Sequence, residues 1–208
     1  MARKTKEQAE ATKDAILEAA IKVFVQHGVT KATLEKIALE AGVTRGAVYW
    51  HFKNKGDVFA ALHEQLCVPF SKMVLEALEK NHPRPLEQLE LLCADLLLDL
   101  ESNARKHDIL TIFFLKCEYS GEMEQFLEVQ QQEKIKNRKV FSRYFEQAVE
   151  KGHLPKDANP HMLANAFTSY ITGIAFEYLR SPKAFDLKNE AKPLMRIFFA
   201  GAGGSSQS

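Results

Sequence analysis

The chain has 208 residues, 46% of them apolar, enough for one large core or two small ones. Its formal net charge of +1 conceals an asymmetry: residues 1–56 hold ten Lys and Arg against six Asp and Glu, the remainder eighteen against twenty-one. A basic end on a mildly acidic protein fits nucleic-acid contact at that end alone. With no apolar run at the start and no stretch of about 18 apolar residues, neither a signal peptide nor a membrane span is expected. Cys67, Cys93 and Cys117 are odd in number and lie in apolar-periodic segments. That pattern predicts reduced, mostly buried thiols in a cytoplasmic protein, with redox sensing the lesser alternative.

Residues 1–12 carry Arg3, Lys4 and Lys6 without a hydrophobic period, and a mobile basic arm is expected there. Ile16, Ala20, Val23 and Phe24 recur at helical spacing and predict a helix from near Gln8 to His27, ended by Gly28. Thr33 is placed to cap a second helix carrying Leu34, Ile37, Ala38 and Ala41. Gly42 stops it, tolerating the positive φ such a stop needs. Thr44 then caps a short third helix by accepting from an unpaired amide. Ala47, Val48 and Phe52 can face inward, leaving Arg45, Gly46, Tyr49, Trp50 and His51 near or on the outer face. Two short amphipathic helices about a glycine turn form a helix-turn-helix pattern. Its outer face, free of acidic groups along this stretch, suits a polyanion.

Asn54 and Asp57 mark the start of a fourth helix through Val58, Leu62 and Leu66 towards Lys80, with Pro69 expected to bend it. His82-Pro83-Arg84-Pro85 is a linker. Leu86, Leu89, Leu92 or Cys93, Leu96, Leu97 and Leu100 predict a fifth helix. Asn103 to Lys106 reads as a turn before a short apolar helix, Ile109 to Lys116. After Ser120-Gly121 a long helix is expected from about Glu122 to Lys151, with Phe126, Val140, Phe141, Phe145, Ala148 and Val149 inward. Gly152 closes it, and Pro155 follows. Asn159-Pro160 opens an eighth helix carrying Leu163, Ala166, Phe167, Tyr170, Ile171, Ile174 and Tyr178. A ninth starts after Phe185-Asp186 and carries Leu187, Leu194, Ile197 and Phe198; Pro193 should kink it or delay its start. Residues 201–208 read as a flexible tail. The fold class is all-α, about nine helices, with a head at 1–56 and a body at 57–208.

The run Gly42-Val43-Thr44-Arg45-Gly46-Ala47-Val48-Tyr49-Trp50-His51-Phe52-Lys53-Asn54-Lys55 closely resembles the signature of TetR-family repressors. With the opening Met-Ala-Arg-Lys-Thr-Lys, it looks most like the AcrR-type branch that controls multidrug efflux. The resemblance implies a three-helix reading head on a larger helical body whose last two helices form a four-helix dimer interface. It also implies an apolar effector cavity. The large side chains assigned to it are Leu66, Leu96, Leu110, Phe113, Phe114, Phe141, Phe145, Phe167, Tyr170 and Ile174, although a packed core explains most of them one by one. Cys67, Cys117, Glu118 and Gln130 are the candidate polar anchors. Gly173 fits close helix approach at the dimer interface.

Little else in the chain carries chemistry. His63-Glu64-Gln65-Leu66-Cys67 is one residue away from a zinc-protease spelling, and His63 and Cys67 share a helical face, but no third ligand stands at a recognisable spacing. The glycines of 201–204 follow no strand, so they form no phosphate loop. Catalytic residues, cofactor and metal are therefore all expected to be absent. The expected function is a homodimeric, ligand-responsive repressor on a palindromic double-stranded operator, released by a hydrophobic small molecule. The alternative is an effector-binding helical protein without operator function. Arg45 is the expected base reader, since a guanidinium can bind guanine O6 and N7 together. Tyr49, His51, Thr33 and Lys55 would hold phosphates, with Lys6 on the adjacent backbone or in the minor groove. Thr44, Gly46, Ala47 and Trp50 complete the expected DNA-facing set.

Overall fold

The structure, a computed structural model, describes residues 2–203, and among them the regular elements are all helical. In order they are α1 (Ala2–His27), α2 (Leu34–Ala41), α3 (Arg45–His51), α4 (Lys55–Glu79), α5 (Pro85–Ser102) and α6 (Ala104–Thr111). A π-helical turn (Ile112–Lys116), a 3-10 turn (Gly121–Met123), α7 (Gln125–Glu150), α8 (Pro160–Arg180), a second 3-10 turn (Pro182–Ala184) and α9 (Leu187–Gly203) follow. The chain divides into two compact units, 1–67 with 108–127, and 68–107 with 128–208. The division inside α4 falls between Cys67 and Val68, just ahead of Pro69.

The first unit is built on α1, whose Ile16, Leu17, Ala20 and Phe24 are wholly buried and share one stripe. Against it pack Leu34, Ile37 and Ala38 of α2, Val48 of α3, and Val58, Phe59 and Leu62 of α4. Ile109, Ile112, Phe113, Met123 and Phe126 belong to the same core, so this unit reaches beyond a 1–56 head. Phe59 anchors the junction, with ring centroids 4.6 Å from Phe113 and 5.3 Å from Phe126. Gly56 is required there: a Cβ would lie 2.9 Å from the Phe126 ring. The Val29 amide donates to the Lys116 carbonyl (3.0 Å), tying the π turn to the α1–α2 connection.

In the second unit α5 packs on α9 and α8. Phe167 of α8, fully buried, is ringed by Phe141 (5.2 Å), Phe145 (6.2 Å), Phe198 (5.1 Å) and Phe199 (5.3 Å). The buried Tyr144 hydroxyl donates to the Val74 carbonyl, and Tyr170 donates to the Leu194 carbonyl. Lys151 Nζ binds Asn81 Oδ1 and the carbonyls of Asn81 and His82, closing the turn between α4 and α5.

Several boundaries differ from the sequence expectations. The helix expected from near Gln8 begins at Ala2, so most of the segment expected as an arm is helical; its early residues are mostly good helix formers and need no apolar stripe to continue the helix. Asn103 to Lys106 is not a turn: the Asn103 side chain accepts from the Lys106 amide and starts α6 at Ala104. The predicted helix over 109–116 is split, its second half being the π turn. Gly121–Met123 forms a 3-10 turn, delaying α7 to Gln125. Pro193 lies inside α9, which starts at Leu187 without delay. That helix takes in residues 201–203 of the expected tail, while 204–208 lie outside the described residues.

Candidate functional site

Local hydrogen bonds position the reading helix. Thr33 Oγ1 accepts from the Lys36 amide to start α2. Gly42 adopts φ 65° and ends α2, its amide turned back on Ala38 and Leu39. Thr44 Oγ1 accepts from the Ala47 amide to start α3. Val48 and Phe52 are buried, and that fixes the rotation of the helix. Arg45, Gly46, Tyr49 and Trp50 are consequently exposed, Trp50 to 73%, while Ala47 and His51 are half-buried. Ahead of α4, Asn54 Oδ1 accepts from the Asp57 amide and Asp57 Oδ2 from the Lys53 amide, a double cap.

The remaining candidates fall in with this face unevenly. Lys6, Thr33 and Thr44 are exposed. Lys55 is half-buried, and its Nζ donates to the Thr30 carbonyl (3.1 Å), so it braces the α1–α2 connection. The His51 ring meets Trp50 edge-on at 4.5 Å. Partial burial and the nearby Lys13 charge, only partly offset by Glu10, push its pKa below the ordinary value. α3 carries no acidic residue of its own, as its sequence indicates, but an acidic group from α2 meets its outer face. Glu35 of α2 reaches Arg45, Oε1 to Nη2 at 2.9 Å, and accepts from the Tyr49 hydroxyl at 3.3 Å. The buried stripe of α2 shows that Glu35 points outward; its partner across the turn is not readable from spacing.

The effector candidates fall into two sets. Leu66, Cys67, Leu110, Phe113, Phe114, Cys117 and Glu118 belong to the first unit, where Phe113 is buried, Glu118 exposed and the others half-buried. Leu96, Gln130, Phe141, Phe145, Phe167, Tyr170 and Ile174 belong to the second; Leu96, Gln130 and Tyr170 are half-buried, the others buried. Cys67 Sγ lies 3.5 Å from His63 Nε2, and no group of three metal-ligating side chains occurs among the described residues. Burial raises the Cys117 pKa to about 11, leaving a protonated thiol, and burial also raises that of Cys93. A cavity of about 360 Å³ in the second unit is lined by Ile135, Arg138, Lys139, Ser142, Arg143, Glu146 and His161, none of them an effector candidate.

Residues 16–62 match the model of the bacterial regulatory proteins of the tetR family, and residues 84–200 that of the C-terminal region of MAATS-type transcriptional repressors. Over 197 residues the chain is 34% identical to the HTH-type transcriptional regulator AcrR of Shigella flexneri, covering 95% of this chain and 92% of that one. It superimposes on NalD, the secondary repressor of the MexAB-OprM multidrug efflux pump in Pseudomonas aeruginosa, with a TM-score of 0.85 and 33% identity over 94% and 97% of the two chains. The SmeT–triclosan complex superimposes with a TM-score of 0.84 and 30% identity over 92% and 91%. SmeT is the repressor of the Stenotrophomonas maltophilia multidrug efflux pump SmeDEF.

Proposed function

We propose, from the premise that the chain belongs to the TetR family of transcriptional repressors and is homologous to efflux-operon repressors, that it acts in the cytoplasm as a homodimer on a palindromic operator. The observation that supports this best is the capped α3, which presents Arg45, Tyr49 and Trp50 to solvent on one side while Val48 and Phe52 are buried on the other. Two copies of α3 would enter successive major grooves, Arg45 reading a guanine and Tyr49, His51 and Thr33 binding phosphates. Lys55 would contribute charge while bracing the turn, and Lys6 would meet the adjacent backbone. Residues 1–56 carry this activity in the proposal, and 57–208 carry dimerisation and effector binding. The protein has no catalytic role in this reading.

For release, a hydrophobic ligand would act on the half-buried candidates of the first unit, above all Leu66 and Cys117, which pack on its core. Displacing Phe113 from Phe59, or the Lys116 carbonyl from the Val29 amide, changes the support of the α1–α2 connection. The ligand needs only to prefer the DNA-incompetent state by about 1–3 kcal/mol to weaken operator binding about 5–150-fold.

Trp50 is the only tryptophan, so its emission reports on α3 without a label. Titration with the duplex that the protein itself selects from a random library should change that emission saturably. An unchanged spectrum at full occupancy would mean that α3 does not approach the duplex, and the reading would fall.

A further inference from the structure

We infer that Glu35 is a specificity-determining residue: its carboxylate holds the Arg45 guanidinium towards a base edge and withholds it from the sugar–phosphate backbone. The inference rests on the operator-binding reading above. Arg45 stands in the first turn of a seven-residue helix, two-thirds exposed, on a side chain with many rotamers. Left to itself beside a duplex, such a cation takes phosphates, which are numerous and carry no sequence. Here it makes three contacts with two side chains. Glu35 Oε1 accepts from Nη2 at 2.9 Å, Nη2 also lies 3.5 Å from the Tyr49 hydroxyl, and the guanidinium carbon sits 5.2 Å from the Tyr49 ring centroid. The Tyr49 hydroxyl donates back to the same carboxylate oxygen, closing a triangle of three side chains from two helices.

The geometry leaves Arg45 able to read. A guanidinium has five N–H donors, and both partners engage its Nη2 end, so the donors on Nε and Nη1 remain for the two acceptors of a guanine. The carboxylate lies in the first turn of α2, where its backbone hydrogen bond lowers its pKa; desolvation opposes this, and the Thr33 side chain, Arg45 and Tyr49 add to it. Beside a duplex, this negative charge offsets the attraction of Arg45 to any phosphate. It does not oppose a neutral base edge in the same way.

The test uses the full chain and the duplex selected by the wild type from a random library. Affinity is measured for that duplex, for the same duplex altered at the base pair where Arg45→Ala relaxes preference, and for an unrelated duplex, each across a salt series. With Glu35→Gln, unrelated DNA should bind about 3–10-fold tighter, with a salt slope steeper by about one, and discrimination at the Arg45-dependent base pair should fall about 3–10-fold. In the Arg45→Ala background, Glu35→Gln should leave discrimination within about twofold, because the two residues act as one unit. Tyr49→Phe removes the donor that pins the carboxylate and should move discrimination in the same direction by less. Equal tightening on all three duplexes would reduce Glu35 to a bystander charge and overturn the inference. So would a loss of discrimination that persists without Arg45. If the wild type selects no consensus at all, the operator reading fails first and takes this inference with it.

Discussion

The aromatic side chains of α3 and those around Phe167 are the same chemistry in opposite circumstances. Trp50 and Tyr49 are 73% and 42% exposed on a seven-residue helix, whereas Phe167 is fully buried among four phenylalanine rings at 5.1–6.2 Å. Burial by itself accounts for an aromatic in a core, through area removed from water and edge-to-face ring packing. It cannot account for a tryptophan held in solvent. The exposed pair is therefore where the proposed operator contact has something to account for, while Phe141, Phe145 and Phe167 are already explained by the packing they provide. Of the second unit's effector candidates, the half-buried Leu96, Gln130 and Tyr170 are the ones whose surroundings leave something for a ligand to explain.

The largest expected effect separates these two circumstances directly. Phe167→Ala removes a ring from a buried cluster and should destabilise the protein by about 3–5 kcal/mol in denaturant unfolding. Trp50→Ala should change the unfolding free energy by less than about 0.5 kcal/mol while weakening operator binding. A stable Phe167→Ala variant would mean the cluster is loosely packed, and would return Phe167 to the effector wall. An intermediate effect is expected within the exposed face itself. Arg45→Ala should cost about 1–3 kcal/mol on the selected operator and relax one base position. Lys55→Ala should weaken all duplexes alike, and should also loosen the α1–α2 connection through loss of its bond to the Thr30 carbonyl. Matching profiles from the two variants on altered operators would erase the distinction between reader and brace.

The sequence was most legible where structure is decided by neighbours in the chain. Thr33, Gly42, Thr44, Asn54 and Asn159 were each readable as caps or stops, and each makes or permits the expected local bond. The α6 start turns on one side chain: Asn103 stands in a polar run that suggests a turn, yet its amide oxygen caps a helix. What spacing could not show was partnership across the chain. Glu35 meets Arg45 ten positions on, Phe59 meets Phe126, and the Lys116 carbonyl meets Val29; each contact depends on how separate helices settle against one another. The effector assignments were the least legible, since a residue on an inward helical stripe looks the same in sequence whether it fills a core or lines a cavity.

The smallest expected effect concerns His51, which is half-buried between the two circumstances. Partial burial first, and the Lys13 charge second, lower its pKa, so the folded chain resists a proton that the unfolded chain accepts. Its contribution to stability is therefore complete above the unfolded pKa of about 6.5 and is lost as pH falls from there through the lower folded value. Contact with an operator phosphate works the other way, because the anion stabilises the imidazolium and raises the pKa towards or above its ordinary range. Binding would then be coupled to proton uptake, and operator affinity should strengthen as pH falls from about 7.5 to 6, by about 2–5-fold. His51→Gln should flatten that component while leaving the pH dependence from other groups in place. The measurement is operator affinity at both pH values, at fixed salt, in wild type and variant. Parallel pH profiles would show that no phosphate reaches His51, and would move this residue from the DNA-facing set to the packing of α3.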